Sequence, residues 1–88
     1  MHQSLRGGPL SPTVLRDGPY RFYFFSREEP RMHIHVTSAD GEAKFWLEPL
    51  VSLAGSQGYT KRQLLDLQRR VEKHQDEIRR AWKAHFGG

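Results

Sequence analysis

The stretch that decides the fold is residues 33–48, which read HIHVTSADGEAKFWLE. Apolar and polar residues alternate on both sides of the dipeptide Asp40-Gly41. Such alternation is typical of β-strands with one buried face, and Asp-Gly is a strong signal for a tight hairpin turn. The stretch therefore predicts two antiparallel strands joined at Asp40 and Gly41.

A type I′ turn centred on these two residues places His35 opposite Trp46 and His33 opposite Glu48. One face of this predicted hairpin is then apolar, with Ile34, Val36, Phe45 and Leu47. The other face carries His33, His35, Thr37, Lys44, Trp46 and Glu48. A slip of one residue would mix the two sets, so the clean sorting supports the assignment. We expect the polar face to meet solvent, a partner chain or a ligand.

Outward from this hairpin, turn residues and apolar runs predict further strands. Residues 13–16 and the aromatic run 20–25 flank the turn residues 17–19 and predict a first hairpin. The charged segment 27–32 predicts a connecting loop. Residues 50–54, LVSLA, fit either a short fifth strand or a single turn.

The C-terminal third has the pattern of an amphipathic helix. Thr60 can cap the helix start while Gln63 reaches back in a capping box. Neither Gly nor Pro occurs between Lys61 and Phe86, so the pattern predicts one long helix, with a break near His74 as the alternative. The apolar side of this helix carries Leu64, Leu67, Val71, Ile78 and Trp82. The opposite side carries Arg62, Arg69, Lys73 and Arg80.

Length and composition limit the architecture to one small domain, since 88 residues cannot support two cores. We expect residues 1–12, which contain two Gly and two Pro, to be a flexible leader, and residues 13–88 to form a single α+β domain. In this domain an antiparallel sheet of four or five strands, built from two consecutive hairpins, is covered on one face by a long C-terminal amphipathic helix. The chain has no cysteine, no apolar run that could span a bilayer and no secretory signal pattern, so we expect a cytoplasmic location.

The net charge of +4 is concentrated in the C-terminal third. Residues 1–59 contain six Lys or Arg and six Asp or Glu, whereas residues 60–88 contain eight and four. Local positive charge attracts polyanions, but helices with mixed charges are also common as solvated faces. If the helix contacts RNA or DNA, binding should weaken steeply with salt.

Two histidines on one strand are the main candidates for chemistry. His33 and His35 are two residues apart, so their imidazoles share one face. They can be half-buried sheet residues that contact Trp46 or Glu48. They can also belong to a metal site, but zinc needs three or four ligands, and Glu42 or Glu48 would have to complete it. We expect neither a metal nor a cofactor.

The same pair can act as general acid and base on a phosphodiester. In a metal-independent ribonuclease, Lys44, with Arg31 or Arg21, would offset the charge of the transition state. His33, His35 and Lys44 are therefore candidate catalytic residues, and the question of catalysis stays open.

Trp46 is the strongest candidate for a contact residue, because a large outward-facing aromatic side chain often marks an interaction surface. It can stack on a nucleobase, cover an edge of the helix, or anchor a protein interface. The full set of candidate binding residues is Trp46, Arg21, Glu48, Arg62, Arg69, Lys73 and Arg80.

Four segments also carry a family resemblance: PTVLRDGPYRFYFFS, PRMHIHV, GEAKFWLEPL and the helix start GYTKRQL. In this order, between Ser11 and Phe86, they resemble a small bacterial family, domain-of-unknown-function family forty-one sixty. The positions that match its motif are Arg16, Gly18, Tyr20, Arg21, His33, His35, Val36, Glu42, Lys44 and Trp46. The resemblance implies a small prokaryotic cytoplasmic protein, often encoded beside a second small domain, as in toxin–antitoxin modules. It carries no established catalytic residues.

These observations predict a small interaction protein, one member of a toxin–antitoxin-like pair. We expect it to bind a small protein encoded nearby, or RNA or DNA, through the face formed by His33, His35, Lys44 and Trp46, with help from the basic helix. We expect no membrane partner, and self-association stays open. The alternative is the ribonuclease that uses His33 and His35.

Overall fold

The computed structural model describes residues 13–25 and 30–87. The predicted leader, residues 1–12, and part of the predicted loop, residues 27–29, lie outside the described residues and stay predictions. The strands are β1 (Thr13–Asp17), β2 (Tyr20–Tyr23), β3 (His33–Ser38), β4 (Gly41–Trp46) and β5 (Ser52–Gln57). Two helices follow, α1 (Lys61–Lys73) and α2 (Gln75–Phe86).

The five strands form one antiparallel sheet in the order β1-β2-β3-β4-β5. Each strand pairs with its neighbour in the sequence, as short connections favour. The predicted α+β class with an antiparallel sheet is confirmed. The open question about residues 50–54 is answered by β5, which begins at Ser52 and leaves β1 and β5 as the sheet edges.

The core lies between one face of the sheet and the two helices. The strands contribute Phe22, Ile34, Val36 and Phe45, all fully buried, and the helices contribute Leu67, Val71, Ile78 and Trp82. Phe22 and Phe24 of the aromatic run are core residues. Burying these side chains supplies the main favourable free energy of folding.

The single long helix that the sequence favours is instead divided at His74, which has φ −101° and ψ 9°. A straight helix of residues 61–86 would be about 39 Å long, whereas a six-residue strand spans only about 20 Å. A break keeps both halves over the sheet, with Leu67 and Val71 buried in α1 and Ile78 and Trp82 in α2. Neither described helix is long and apolar enough to cross a membrane.

The predicted start of the helix is confirmed, because the hydroxyl of Thr60 accepts a hydrogen bond from the Gln63 backbone N–H at 3.1 Å. The Gln63 side chain accepts one from the Thr60 N–H at 2.8 Å. This capping box satisfies donors that the first turn cannot pair internally.

The predicted register of the β3–β4 hairpin is wrong by two residues. Ser38 pairs with Gly41, so Ala39 and Asp40 form the loop, and Gly41 lies in β4 without the positive φ of a type I′ turn. His33 consequently lies opposite Trp46 rather than Glu48. A shift of two residues preserves the alternation, so the predicted faces of β3 and β4 are retained.

The reason for this register is a tertiary contact at Gly41. A Cβ atom on Gly41 would clash with the carbonyl oxygen of Gln57, and one on Gly58 would clash with that of Asp40. Glycine is therefore needed where the hairpin meets the end of β5, not at the turn itself. The hydroxyl of Tyr59 donates to the Gly41 carbonyl at 2.9 Å and fixes this contact.

Candidate functional site

The face of the sheet opposite the core, here called the outer face, holds five of the ten predicted site residues. Its side chains on β2, β3 and β4 are Arg21, Tyr23, His33, His35, Thr37, Glu42, Lys44 and Trp46, and Arg16 of β1 lies on it opposite Arg21. The structure thus brings together the five predicted site residues that lie on β2, β3 and β4, while the apolar residues of the same strands face the core.

Trp46 contacts two cations. The guanidinium carbon of Arg31 lies 4.1 Å from the centre of the indole, and the Nζ of Lys44 lies 4.5 Å from it. Attraction between a cation and the face of an aromatic ring stabilises such contacts. Trp46 is therefore half-buried beside positive charge and is not the bare aromatic side chain that the sequence indicates.

A second aromatic group lies on the same face next to His35. The Tyr23 ring stacks on the His35 ring with centres 5.3 Å apart and planes at 26°. The Phe25 ring meets His35 edge-on at 4.5 Å, and the guanidinium carbon of Arg21 lies 4.5 Å from the centre of the Tyr23 ring. The outer face therefore combines flat rings with cations placed against them.

His33 is fully buried, more deeply than either the half-buried sheet residue or the accessible acid–base residue that the sequence allows. Its ring lies 5.2 Å from Trp82 of α2 and 5.0 Å from His35, measured between ring centres. Its Nδ1 lies 2.7 Å from the Arg31 carbonyl oxygen, which can only accept, so Nδ1 carries the proton. Trp82 of α2 therefore covers the outer face at His33, while His35, two residues further along β3, is only half-buried.

Glu48 is not part of the outer face, which corrects its predicted place opposite His33. It follows β4, and its carboxylate forms an ion pair with Arg79 of α2, with Oε2 and Nε 3.2 Å apart. Its carbonyl accepts a hydrogen bond from Arg31 at 3.1 Å. These contacts give Glu48 a structural role between the sheet and α2.

Among residues 13–25 and 30–87, no three His, Asp or Glu side chains come together to hold a metal ion. Glu48 was one of the two acids that could have completed a histidine metal site, but its carboxylate forms an ion pair with Arg79. The outer face therefore has a different chemistry, that of rings and cations.

The predicted basic residues of the helices form a separate surface. Arg62, Arg69, Lys73 and Arg80 are all exposed on the helical layer. Because the helices cover the core face of the sheet, this basic surface and the outer face lie on opposite sides of the domain. The structure does not combine them into one site.

A charged cluster that joins α1 to the first hairpin is not predicted from the sequence. The Asp17 carboxylate accepts hydrogen bonds from Arg70 at 2.8 Å and from His74 at 2.9 Å. The hydrogen bond from His74, with the nearby charge of Arg70, lowers the pKa of Asp17 below its ordinary value. No local pattern connects residues more than 50 positions apart, so this cluster becomes visible only in the fold.

The outer face also has a groove that the sequence pattern does not predict. It has a volume of about 330 Å³ and lies between the aromatic rings beside His35 and the edge strand β5. Its lining includes Tyr23, Phe25, His35, Glu42, Lys44, Gly55, Ser56 and Gln57. The β5 residues could be placed there only once the strand and its register were known.

The model for a family described as a domain of unknown function (DUF4160) matches residues 20–83. This protein belongs to that family. The match confirms the DUF4160 resemblance over β2 to α2, although two of the motif positions, Arg16 and Gly18, precede the matched range. No curated protein and no solved structure gives a significant match to the chain.

Proposed function

We propose that this DUF4160 protein is a small interaction protein that binds single-stranded RNA on its outer face. The observation that carries the proposal is the pairing of rings with cations: Trp46 with Arg31 and Lys44, and Tyr23 with Arg21. Proteins that bind single strands use the same two elements, aromatic rings for the bases and positive charge for the phosphates.

The charge of the outer face supports this ligand. Among the described residues of this face, four basic side chains outnumber the acidic Glu42: Arg16, Arg21, Arg31 and Lys44. His35 on β3 and Trp46 on β4 are half-buried rings on neighbouring strands, so two successive unstacked bases could contact them, whereas Tyr23 on β2 is buried and stacks on His35. A double helix keeps its bases stacked inside, so a sheet face of this kind suits single strands better.

The family resemblance adds a cellular setting to the proposal. In this setting the protein is a cytoplasmic member of a toxin–antitoxin-like pair, and its partner is a small protein encoded nearby. Of the two edge strands in the described part of the chain, we assign β5 to such a partner. Five of its six residues are exposed, none is charged, and Leu53 lies there at 40% exposure beside Leu50 at 64%. An extended segment of a partner can pair with such an edge.

The ribonuclease alternative has less support from the geometry. An acid–base pair must reach the proton that it transfers, directly or through one water. The His33 side chain has no exposed surface, and its Nδ1 is committed to the Arg31 carbonyl. His35 is half-buried and would have to act with Lys44 alone.

The proposal is tested with two double variants that change the net charge equally on opposite sides of the domain. Arg21→Ala/Lys44→Ala removes two cations from the outer face, and Arg62→Ala/Arg69→Ala removes two from the exposed side of α1. Binding is measured by fluorescence anisotropy with a labelled single-stranded RNA of mixed sequence.

We expect the outer-face variant to bind at least about tenfold more weakly at low salt, and its salt slope to fall by about 1.4, since each phosphate contact contributes about 0.7 for single strands. The helix variant should bind like the wild type. Equal losses in both variants would show that only net charge matters, and no binding by the wild type would refute the proposal.

Co-purification with the product of the neighbouring gene tests the protein partner separately, and a Leu53→Asp change should abolish it if β5 is the contact.

A further inference from the structure

The groove on the outer face has a wall and a floor of different character. The wall is aromatic, because Tyr23 and Phe25 both contact the His35 ring there. The floor is formed by β4 and β5, where Lys44 pairs with Gly55. A volume of about 330 Å³ is at the lower end of the range for small-molecule sites, so it suits one flat ring system rather than a longer ligand.

Gly55 gives the groove its open end. A Cβ atom built at Gly55 would have no atom within 4 Å, so the backbone here is bare and faces open space. Gly55 also lacks the positive φ that would require glycine. Because the residue opposite is Lys44, a side chain at position 55 would project over the same face of the sheet and into the groove.

One end of the groove carries groups that can recognise the edge of a base. Glu42 pairs with Gln57 across β4 and β5, so their side chains share the outer face, and both are exposed. Opposed residues on neighbouring strands have Cβ atoms about 5 Å apart. A carboxylate that only accepts hydrogen bonds therefore lies beside an amide that can donate one.

This pair of groups distinguishes between the four bases. The Watson–Crick edge of guanine has two adjacent N–H donors, which match a carboxylate, and a carbonyl oxygen beside them, which matches an amide donor. Cytosine and adenine place a ring nitrogen acceptor next to a single amino group, and uracil has one N–H between two carbonyl oxygens. Each of these three would direct an acceptor lone pair at the Glu42 carboxylate.

We infer that the groove holds one guanine of the bound RNA, stacked against the half-buried rings of Phe25 and His35, with its Watson–Crick edge toward Glu42 and Gln57. Lys44 lies on the groove floor and is placed to contact the phosphate of that nucleotide. This inference rests on the proposed function, since it names the base that the outer face selects.

The first test fills the groove without disturbing the fold. Gly55→Leu places a side chain in open space, and Ala54→Leu adds the same side chain one residue earlier, outside the groove lining. The probe is a labelled uridine decamer with one central guanosine. We expect Gly55→Leu to bind it at least about tenfold more weakly, and Ala54→Leu to bind it like the wild type. Both variants should keep the wild-type circular dichroism spectrum.

The second test measures base preference. We expect the wild type to bind the guanosine-containing decamer at least about fivefold more tightly than the uridine decamer. Glu42→Gln removes a negative charge, so a purely electrostatic role for Glu42 would strengthen binding of both decamers equally. Recognition of guanine by Glu42 instead predicts that the ratio of the two affinities falls to about one.

The outcomes separate this inference from the proposed function. If the wild type binds neither decamer, the proposed function fails and the inference fails with it. If the wild type binds both equally, or Gly55→Leu binds like the wild type, the outer face binds RNA but the guanine site is refuted. Loss of preference in Glu42→Gln together with weak binding by Gly55→Leu supports the inference.

Discussion

Replacement of Asp17 by Asn should destabilise the protein, because it removes the charge that joins α1 to the first hairpin. The carboxylate accepts hydrogen bonds from Arg70 at 2.8 Å and His74 at 2.9 Å. Hydrogen bonds to charged groups contribute about 1.5–3 kcal/mol each. The Arg70 and Asp17 side chains are 29% and 20% exposed, so solvent screening reduces the combined contribution of the two hydrogen bonds. We expect a loss of about 2 kcal/mol in the free energy of unfolding, or about 8–16 °C in Tm for a chain of this size.

The effect of this substitution should depend on pH in a defined direction. The pKa of Asp17 is lowered in the folded protein, first by the hydrogen bond from His74 and then by the charges of Arg70 and Lys73. Because the folded pKa lies below the ordinary value of 3.8, the stabilising contribution is complete above that value. It is lost as the pH falls through the folded pKa. The difference between wild type and Asp17→Asn should therefore shrink as the pH is lowered below about 3.8.

Urea and thermal unfolding followed by circular dichroism, at neutral pH and at a series of acidic pH values, measure both effects. Asp66→Asn is the matched control, because Asp66 also pairs with Arg70 but is 48% exposed and lies on the same helix. Pairs of that kind contribute about 0.3–0.5 kcal/mol. An Asp17→Asn loss no larger than the Asp66→Asn loss, or a difference that grows on acidification, would refute the assignment of this cluster as a structural junction.

Further predictions concern the turn, the core and the salt dependence of binding. Gly41→Ala should strongly lower the free energy of unfolding in urea, because the new Cβ atom would clash with the Gln57 carbonyl. Gly55→Ala should leave it unchanged or raise it by up to about 1 kcal/mol. Similar effects of the two substitutions would contradict the close approach at Gly41. Leu67→Ala should lower the free energy of unfolding by about 2–5 kcal/mol, because Leu67 is fully buried. Leu65→Ala should change it by less than about 0.5 kcal/mol, because Leu65 is 60% exposed. Comparable losses would show that the side of α1 that carries Leu67 is not the one that packs on the sheet. If Arg21, Arg31 and Lys44 each contact a phosphate, the affinity for single-stranded RNA should fall about twentyfold between 50 and 200 mM salt. An anisotropy titration that shows no change would exclude these contacts.

Local patterns in the sequence were sufficient for strands β1 to β4, for the start of α1 and for the division of the sheet into two faces, but they left β5 open and favoured one helix in place of two. Side chains alternate with a period of two, so the outer face holds His35, Lys44 and Trp46 whether the hairpin turn is centred at Asp40-Gly41 or one residue earlier. The capping box at Thr60 is equally local, because its hydrogen bonds span three residues.

The features that the sequence did not reveal depend on contacts between residues far apart in the chain. The register of the hairpin follows from the approach of Gly41 to Gly58, and the helix break from the need to keep both halves over the sheet. His33 is buried because Trp82, 49 positions later, lies against it. Alternation and capping are set by neighbouring residues and can be read along the chain. Burial, register and groove shape depend on which distant segments of the chain pack together, and only the tertiary structure shows those contacts.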